Sequence, residues 1–166
     1  LTASVTVTGT VDINTTGTYL LTYSVADAAG NTATANRTVT VVGNRSVELN
    51  ATVAMDMLWV PAGTFTMGSP TTEAGRQADR EDEHNVSLTQ GFYLGKYEVT
   101  QAQYEAVMTG NTDSLSATPS QWPNNPNRPV EKVSWADAQI FLIRLNAQQS
   151  ANIPAGWAYV LPTESQ

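Results

Sequence analysis

The feature that most constrains this chain is an alternation of apolar and polar residues that Gly and Pro interrupt every few positions. The alternation recurs through much of residues 5–99, and typical interruptions fall at Pro61, Gly68 and Gly91. Side chains of a β-strand point to opposite faces of the sheet in turn, and Gly and Pro are residues of turns. We therefore predict short strands joined by tight turns over the first two thirds of the chain.

The first 43 residues are predicted to form a β-module of their own. Val5 and Val7 alternate with threonines, and turn residues follow at 12–17. Residues 19–42 then form a hairpin whose loop contains Gly30, a residue suited to positive φ. This gives a hairpin with one earlier strand, and a sheet this small needs further strands to be stable.

The hairpin loop also contains the first candidate metal ligands, Asp27 and Asn31. Their side chains offer oxygen atoms of the kind that calcium prefers. In a tight turn, however, an Asp commonly accepts hydrogen bonds from its own backbone. We favour the turn interpretation.

The remainder of the chain is predicted to be a linker at residues 44–55 and a second domain at 56–166. Two capping boxes, Thr100 to Gln103 and Ser134 to Asp137, predict helices at 101–108 and 134–149. A third, Thr163 to Gln166, falls at the last residues. A helix start with no helix behind it leads us to expect a truncated domain.

Apolar spacing predicts which side chains of this domain are buried. The expected inward-facing residues are Tyr104, Val107 and Met108 on the first helix and Trp135, Ala138, Phe141, Leu142 and Leu145 on the second. Strands are predicted at 57–60 and 65–67, over 86–99 with a break near Gly91, and at 129–133 and 157–161. Trp122 is expected to anchor the long proline-rich loop 111–129.

The residue types that carry chemistry are sparse in this sequence. An acidic run at 71–83 has four carboxylates within five residues, but it lacks the spacing and central Gly of a calcium loop, and we favour a solvated surface loop. His84 is the only histidine and there is no cysteine, so no zinc site is recognisable. We interpret His84 as a structural residue at the start of a strand.

Charge and composition exclude some partners. The net charge is −7 and the pI about 4.5, which argues against binding to nucleic acid. No apolar run approaches the roughly 20 residues of a membrane helix. The Thr- and Val-rich first module is typical of extracellular or cell-surface proteins. Five N-x-S/T sequons occur, but a chain this rich in Asn and Thr contains several by chance.

A dense pattern of Gly, Tyr, Asp and Val positions runs through TGTVDINTTGTYLLTYSVADAAGNTATANRTVTVV. Its members are Val11, Asp12, Gly17, Tyr19, Tyr23, Asp27, Gly30, Asn31, Ala33, Arg37, Val39 and Val41. The pattern resembles the C-terminal part of a bacterial Ig-like surface repeat. The resemblance implies an all-β sandwich that serves as a spacer or adhesion module and lacks its first strands.

The second domain carries five groups of residues in a fixed order. They are WVPAGTFTMGS at 59–69, HNVSL at 84–88 with FYLGKYEVT at 92–100 and QY at 103–104, RPV at 128–130, VSWADA at 133–138 and LPTE at 161–164. This order is similar to that of the formylglycine-generating enzyme family, also called the sulfatase-modifying-factor domain. The resemblance implies an irregular α/β fold of the C-type-lectin-like kind, of which this chain holds the N-terminal part.

The same resemblance bears on activity. Oxidase members of that family convert a sulfatase cysteine to Cα-formylglycine with copper and molecular oxygen, and a cysteine pair near the end of the domain binds the metal. No position of this sequence matches the pair, so we assign no catalytic, cofactor-binding or metal-binding residue. Copper, together with calcium, is implied only for the complete domain.

Two functions stay open for the parent protein. In the first, it is an oxidase whose partner is a sulfatase protein or peptide. In the second, it is a non-catalytic, lectin-like protein at the surface or secreted, which binds a ligand and is displayed on Ig-like repeats. The family as a whole favours the first. The fused Ig-like module favours the second, because a dedicated sulfatase-maturing enzyme has no evident use for a surface repeat.

Overall fold

The structure is a computed structural model that describes residues 4–77, 79–123 and 125–166. The chain divides into two compact units, Leu1–Gly43 and Asn44–Gln166. In the described residues most of the regular structure is β-sheet, and the second unit contains two helices.

The first unit is an antiparallel sheet of three strands in the order β1-β2-β3. The strands are β1 (Val5–Thr8), β2 (Gly17–Ala26) and β3 (Thr32–Val41). The predicted hairpin and earlier strand are thus confirmed, and Gly30 has a φ of 86° as its turn requires. The described residues of this unit form one sheet, and the second layer of a sandwich stays a prediction.

The second unit begins with five strands that form two small sheets. They are β4 (Arg45–Glu48), β5 (Ala54–Val60), β6 (Gly63–Met67), β7 (His84–Leu88) and β8 (Phe92–Gly95). Strands β4, β5 and β8 pair antiparallel in the order β4-β5-β8, and β6 pairs with β7. The sheets are small because turns interrupt the alternation after four to seven residues.

The predicted linker at 44–55 is wrong, because this segment is part of the second unit. Strand β4 pairs with β5, and Val47 and Leu49 are 9% and 3% exposed. The turn between the strands is closed by Asn50, whose Oδ1 accepts from the backbone of Thr52 and Val53, both at 2.9 Å. A strand of four residues is too short to show a period, and its pairing with β5 cannot be read locally.

Both helices occur where the capping boxes predict them. They are α1 (Gln101–Met108) and α2 (Trp135–Gln148), and each N-cap makes both bonds of its box. Thr100 Oγ1 accepts from Gln103 N at 3.3 Å, and Gln103 Oε1 accepts from Thr100 N at 2.9 Å. The longer helix has 14 residues. No helix in the described part of the chain has the length and apolar character to cross a bilayer.

The core lies where the two helices meet the β4-β5-β8 sheet. Its buried apolar side chains are Val47, Leu49, Met55, Tyr104, Val107, Met108, Phe141 and Leu145. The rings of Tyr104 and Phe141 stack with centroids 5.4 Å apart. Burial, and secondarily the charge of Asp137, raise the pKa of the Tyr104 phenol. The predicted inner face of α1 is confirmed.

Polar side chains lock the helices to the rest of this core. Gln149, 4% exposed, donates from Nε2 to the carbonyl of Glu48 at 2.8 Å. Arg144 donates to the carbonyls of Val107 and Thr109 at 2.9 and 3.0 Å, and so satisfies the C-terminal end of α1. These bonds fix α2 relative to both α1 and β4.

Two tryptophans that were predicted to pack are exposed instead. Trp135, expected to face inward on the second helix, is 73% exposed. Trp135 is the first residue of α2 and lies about 120° round the helix from Phe141. Trp122 is 60% exposed, so its ring does not anchor the loop 111–129.

Three predicted elements are absent or shorter. Strand β8 ends at Gly95, and residues 129–133 and 157–161 are not strands. Pro129 forms a single β-bridge with Thr100. Residues 163–166 form a turn, in which Gln166 Oε1 accepts from Thr163 N at 3.1 Å. An extended apolar run becomes a strand only where a partner strand is adjacent.

Candidate functional site

The candidate calcium ligands of the hairpin loop serve the turn itself. Asp27 Oδ1 accepts from the backbone of Ala29 and Asn31 at 2.9 and 2.8 Å, and its Oδ2 accepts from Asn31 Nδ2 at 2.8 Å. The side-chain bond from Asn31, followed by the backbone bonds, lowers the pKa of the Asp27 carboxyl. Both carboxylate oxygens are engaged within the loop, in agreement with the turn interpretation.

The acidic run between β6 and β7 is held together by hydrogen bonds and an ion pair. Arg76 pairs with Asp82, and its Nε donates to the carbonyl of Ser69 at 3.0 Å. Glu81 Oε2 accepts from Gln77 N at 2.9 Å, and its carbonyl accepts from Ser69 N at 2.9 Å. These bonds close the loop on the surface, and they occupy carboxylates that a cation would need.

His84 begins β7, as predicted, and its Nδ1 lies 2.8 Å from the carbonyl oxygen of Asp82. An N–H at Nδ1 therefore donates to the loop that precedes the strand. Among residues 4–77, 79–123 and 125–166, no three His, Cys, Asp or Glu side chains are grouped so that they could hold a metal ion.

The second unit has a groove of about 990 Å³. It is lined by residues of β4, β5, β8 and α2 and by parts of the segment 152–162. Ligand pockets span roughly 300–1,000 Å³, so the groove lies at the upper end of that range. Its lining is largely apolar and includes Met55, Met57, Leu142 and Leu161.

Three aromatic rings cluster beside this groove, and two of them, Tyr93 and Trp157, line it. Strand register places Trp59 opposite Tyr93, and their centroids are 5.0 Å apart with the planes at 63°. Trp157 packs on both rings, at 6.2 and 5.9 Å. The Arg45 guanidinium lies 5.7 Å from the centroid of the Tyr93 ring, within cation–π range. The cluster combines a broad apolar surface with one cation.

Tyr159 adds a polar group to the groove lining. Its main chain is held by Asn146, whose Oδ1 accepts from Tyr159 N and whose Nδ2 donates to Tyr159 O, each at 2.8 Å. Burial raises the pKa of the Tyr159 phenol, and the nearby Arg45 partly opposes this. The phenol therefore stays protonated at neutral pH and can both donate and accept a hydrogen bond.

Sequence reasoning did not find this cluster. It placed Arg45 in a linker and assigned Trp59 and Trp157 to two separate strands. The pairing of β5 with β8 brings Trp59 to Tyr93, and that register is a tertiary property. The signal that was present in the sequence is that Trp59 and Tyr93 both fall within the matched groups, whereas Trp157 lies outside them.

Comparison with known proteins identifies both units. A model of the sulfatase-modifying factor enzyme 1-like domain matches residues 44–166, and a model of the bacterial surface protein Ig-like domain matches residues 1–41. The chain belongs to the sulfatase-modifying factor enzyme 1-like family and carries an Ig-like surface module before that domain. Both resemblances noted in the sequence are confirmed.

Two individual proteins are similar to parts of the chain. The fold resembles that of PvdO from Pseudomonas aeruginosa with a TM-score of 0.54 and 24% identity, over 66% of this chain and 46% of PvdO. A protein named chaperone protein LppX, from Paenibacillus barcinonensis, is 39% identical over 89 residues. That match covers 54% of this chain and 25% of LppX. The chain therefore spans less than half the length of either protein.

Proposed function

We propose that the second unit binds an extended segment of another polypeptide in the groove of about 990 Å³, as the recognition part of a protein at or outside the bacterial surface. The groove, with its aromatic cluster, is the observation that carries this proposal. Burial of its apolar lining would contribute roughly 25 cal/mol per Å².

The chemistry of the groove favours a polypeptide. Met57, which is only partly buried, offers a flexible, polarisable side chain of the kind found on surfaces that adapt to varied peptides. Strands β4 and β8 are the two edges of their sheet and both line the groove. An extended peptide can add to such an edge as a further strand. The name of the relative LppX, a chaperone, is consistent with a polypeptide ligand.

The first unit supports the location. An Ig-like module of the bacterial surface type suits a spacer that carries the second unit away from the cell. As part of the same proposal, the first unit belongs to a β-sandwich and the second to a C-type-lectin-like fold. The family relationship of the second unit supports a protein substrate or ligand.

Peptide binding tests the proposal directly. Sulfatase-derived peptides that contain the target cysteine, and versions with that cysteine changed to alanine, are titrated into the protein by calorimetry. We expect binding of at least one peptide, and a roughly tenfold loss in Trp157→Ala, which removes about 1.4 kcal/mol. Trp135→Ala is the control, since Trp135 is also exposed but does not line the groove. The proposal fails if no peptide binds below about 1 mM.

The family match favours a second candidate function, that of an oxidase. The parent protein, on this view, oxidises a sulfatase cysteine to formylglycine with copper, as the resemblance implies. The residues present here do not fit the family's copper site, because the sequence has no cysteine. They do not fit a calcium site either, since no three His, Cys, Asp or Glu side chains of the described residues are grouped to hold a metal ion. The Asp27 carboxylate bonds backbone amides of its own loop, and that of Asp82 pairs with Arg76. No catalytic step is therefore assigned to these residues.

An activity assay separates the two candidates. Residues 1–166, incubated with copper, oxygen and a cysteine peptide, are expected to leave the peptide unmodified, because copper capture of the family's kind needs thiolates. Detection of formylglycine by mass spectrometry would overturn this reasoning. Conversion by the full parent protein would support the oxidase function, and peptide binding without conversion would support recognition alone.

A further inference from the structure

We propose that Trp122 and the polar side chains around it form a carbohydrate-binding site for an uncharged pyranose residue. The site is a shallow cavity of about 560 Å³ on the second unit. Its lining consists of Gln101, Trp122, Arg128, Pro129 and Glu131. None of these residues lines the groove, so this is a separate site.

The main chain of Trp122 is fixed while its ring faces solvent. Glu131 Oε1 accepts from Trp122 N at 3.2 Å and also from Gln121 N. Gln101 Nε2 donates to Trp122 O at 3.2 Å, and Ser120 Oγ accepts from Glu131 N at 3.1 Å. Trp122 as a whole is nonetheless 60% exposed. A large ring on an already ordered backbone loses little further entropy when it binds a ligand.

On the other side of the cavity, backbone hydrogen bonds fix the turn at 125–128 to α1. Arg128 O accepts from Gln101 N at 2.9 Å, and Pro126 O accepts from Ala102 N at 3.0 Å. These carbonyls satisfy amides of the first turn of α1, which have no partner within the helix. Arg128 N also donates to Asn125 O at 3.0 Å. The turn that carries Arg128 is thus attached to the helix that carries Gln101.

The rim of the cavity has both a hydrogen-bond donor and hydrogen-bond acceptors that are available to a ligand. Within the described part of the chain, the Arg128 guanidinium, Gln101 Oε1 and Glu131 Oε2 have no hydrogen-bond partner. The guanidinium donates, and the two oxygens accept. Sugar hydroxyls can donate and accept at once, so they match this mixture.

The charges of the rim and the face of the indole ring favour an uncharged sugar. The opposite charges of Arg128 and Glu131 give the rim no excess of either sign. The face of the indole ring is the negative side of its quadrupole, and it attracts the C–H groups on one face of a pyranose. A lone apolar side chain of a peptide would cover the ring but leave the rim groups unpaired, which costs binding energy.

Calorimetry with oligosaccharides of glucose, xylose, mannose, galactose and N-acetylglucosamine tests the site on the complete 166-residue chain. We expect at least one to bind, and both Trp122→Ala and Arg128→Ala to weaken it by roughly tenfold or more. Trp135→Ala is the matched control, because Trp135 is even more exposed and lies outside the cavity. It should bind as tightly as the wild type.

Several outcomes would overturn the proposal. They are no binding by any of these oligosaccharides and equal affinity in the Trp122 and Trp135 variants. Parallel titrations with uronic or sulfated oligosaccharides and with peptides would also overturn it if only those probes bind. If Trp122→Ala unfolds, Arg128→Ala still decides, because its side chain makes no hydrogen bond with a described residue. Unchanged affinity in that variant would refute the proposed rim.

Discussion

Replacing Gly91 with alanine is expected to destabilise the second unit by about 1–2 kcal/mol, because the new methyl group would collide with the aromatic cluster. A Cβ at this position would lie 2.3 Å from Cζ2 and 2.7 Å from Cη2 of Trp59, and 2.9 Å from the carbonyl oxygen of Val60. Real Cβ atoms essentially never approach other atoms below 3.0 Å, so something must move.

Neither neighbour of Gly91 can move cheaply. The Trp59 indole packs against Tyr93 and Trp157, and Val60 is paired with Phe92 in the sheet. Overpacking of this kind costs about 1–3 kcal/mol. Alanine has less backbone freedom than glycine in the unfolded chain, so it loses less entropy on folding. This effect offsets roughly 0.4–1 kcal/mol of the cost. The net loss of about 1–2 kcal/mol follows from the difference.

Urea unfolding followed by tryptophan fluorescence measures this loss. All four tryptophans lie in the second unit, so the signal reports that unit alone. With an m-value of about 1–3 kcal/mol/M, the midpoint should fall by roughly 0.5–1 M. Gly63→Ala is the control, because nothing lies within 4 Å of a Cβ there. Equal midpoints for the two variants would refute the steric argument.

Three further predictions concern helix α2, the core and the hairpin loop. Ser134→Ala removes the N-cap that bonds Asp137 N at 3.1 Å, and should lower the free energy of unfolding by about 0.5–2 kcal/mol in urea melts. Met108→Ala removes most of a side chain that is 0% exposed and leaves a cavity, so it should lower the free energy of unfolding by about 2–5 kcal/mol in the same assay. Asn31→Ala should raise the pKa of Asp27 toward its ordinary value in an NMR titration of the carboxyl carbon. Because the folded pKa is the lower one, the stabilisation from ionised Asp27 is complete above the unfolded pKa and is lost as pH falls through the folded pKa. The backbone bonds to Asp27 remain in the variant, which should therefore lose only the part of this acid-side dependence that the Asn31 side chain causes.

Interactions between near neighbours were predictable from the sequence. The capping boxes at Thr100 and Ser134 join residues three positions apart, and Asp27 bonds atoms within its own turn. Such contacts depend on side-chain chemistry and a few dihedral angles, so the residues themselves specify them. The family motifs were recognisable for a similar reason, as an order of short local patterns.

Tertiary structure alone decided the features that define the candidate sites. Strand β4, in the predicted linker, becomes a strand because β5 lies beside it. Trp135 is exposed because the face of α2 that carries Phe141 and Leu145 is the one that packs on the core. The aromatic cluster needs Trp59, Tyr93 and Trp157 to converge from separate segments. Register and packing place these residues together, and both depend on contacts between parts of the chain that are distant in sequence.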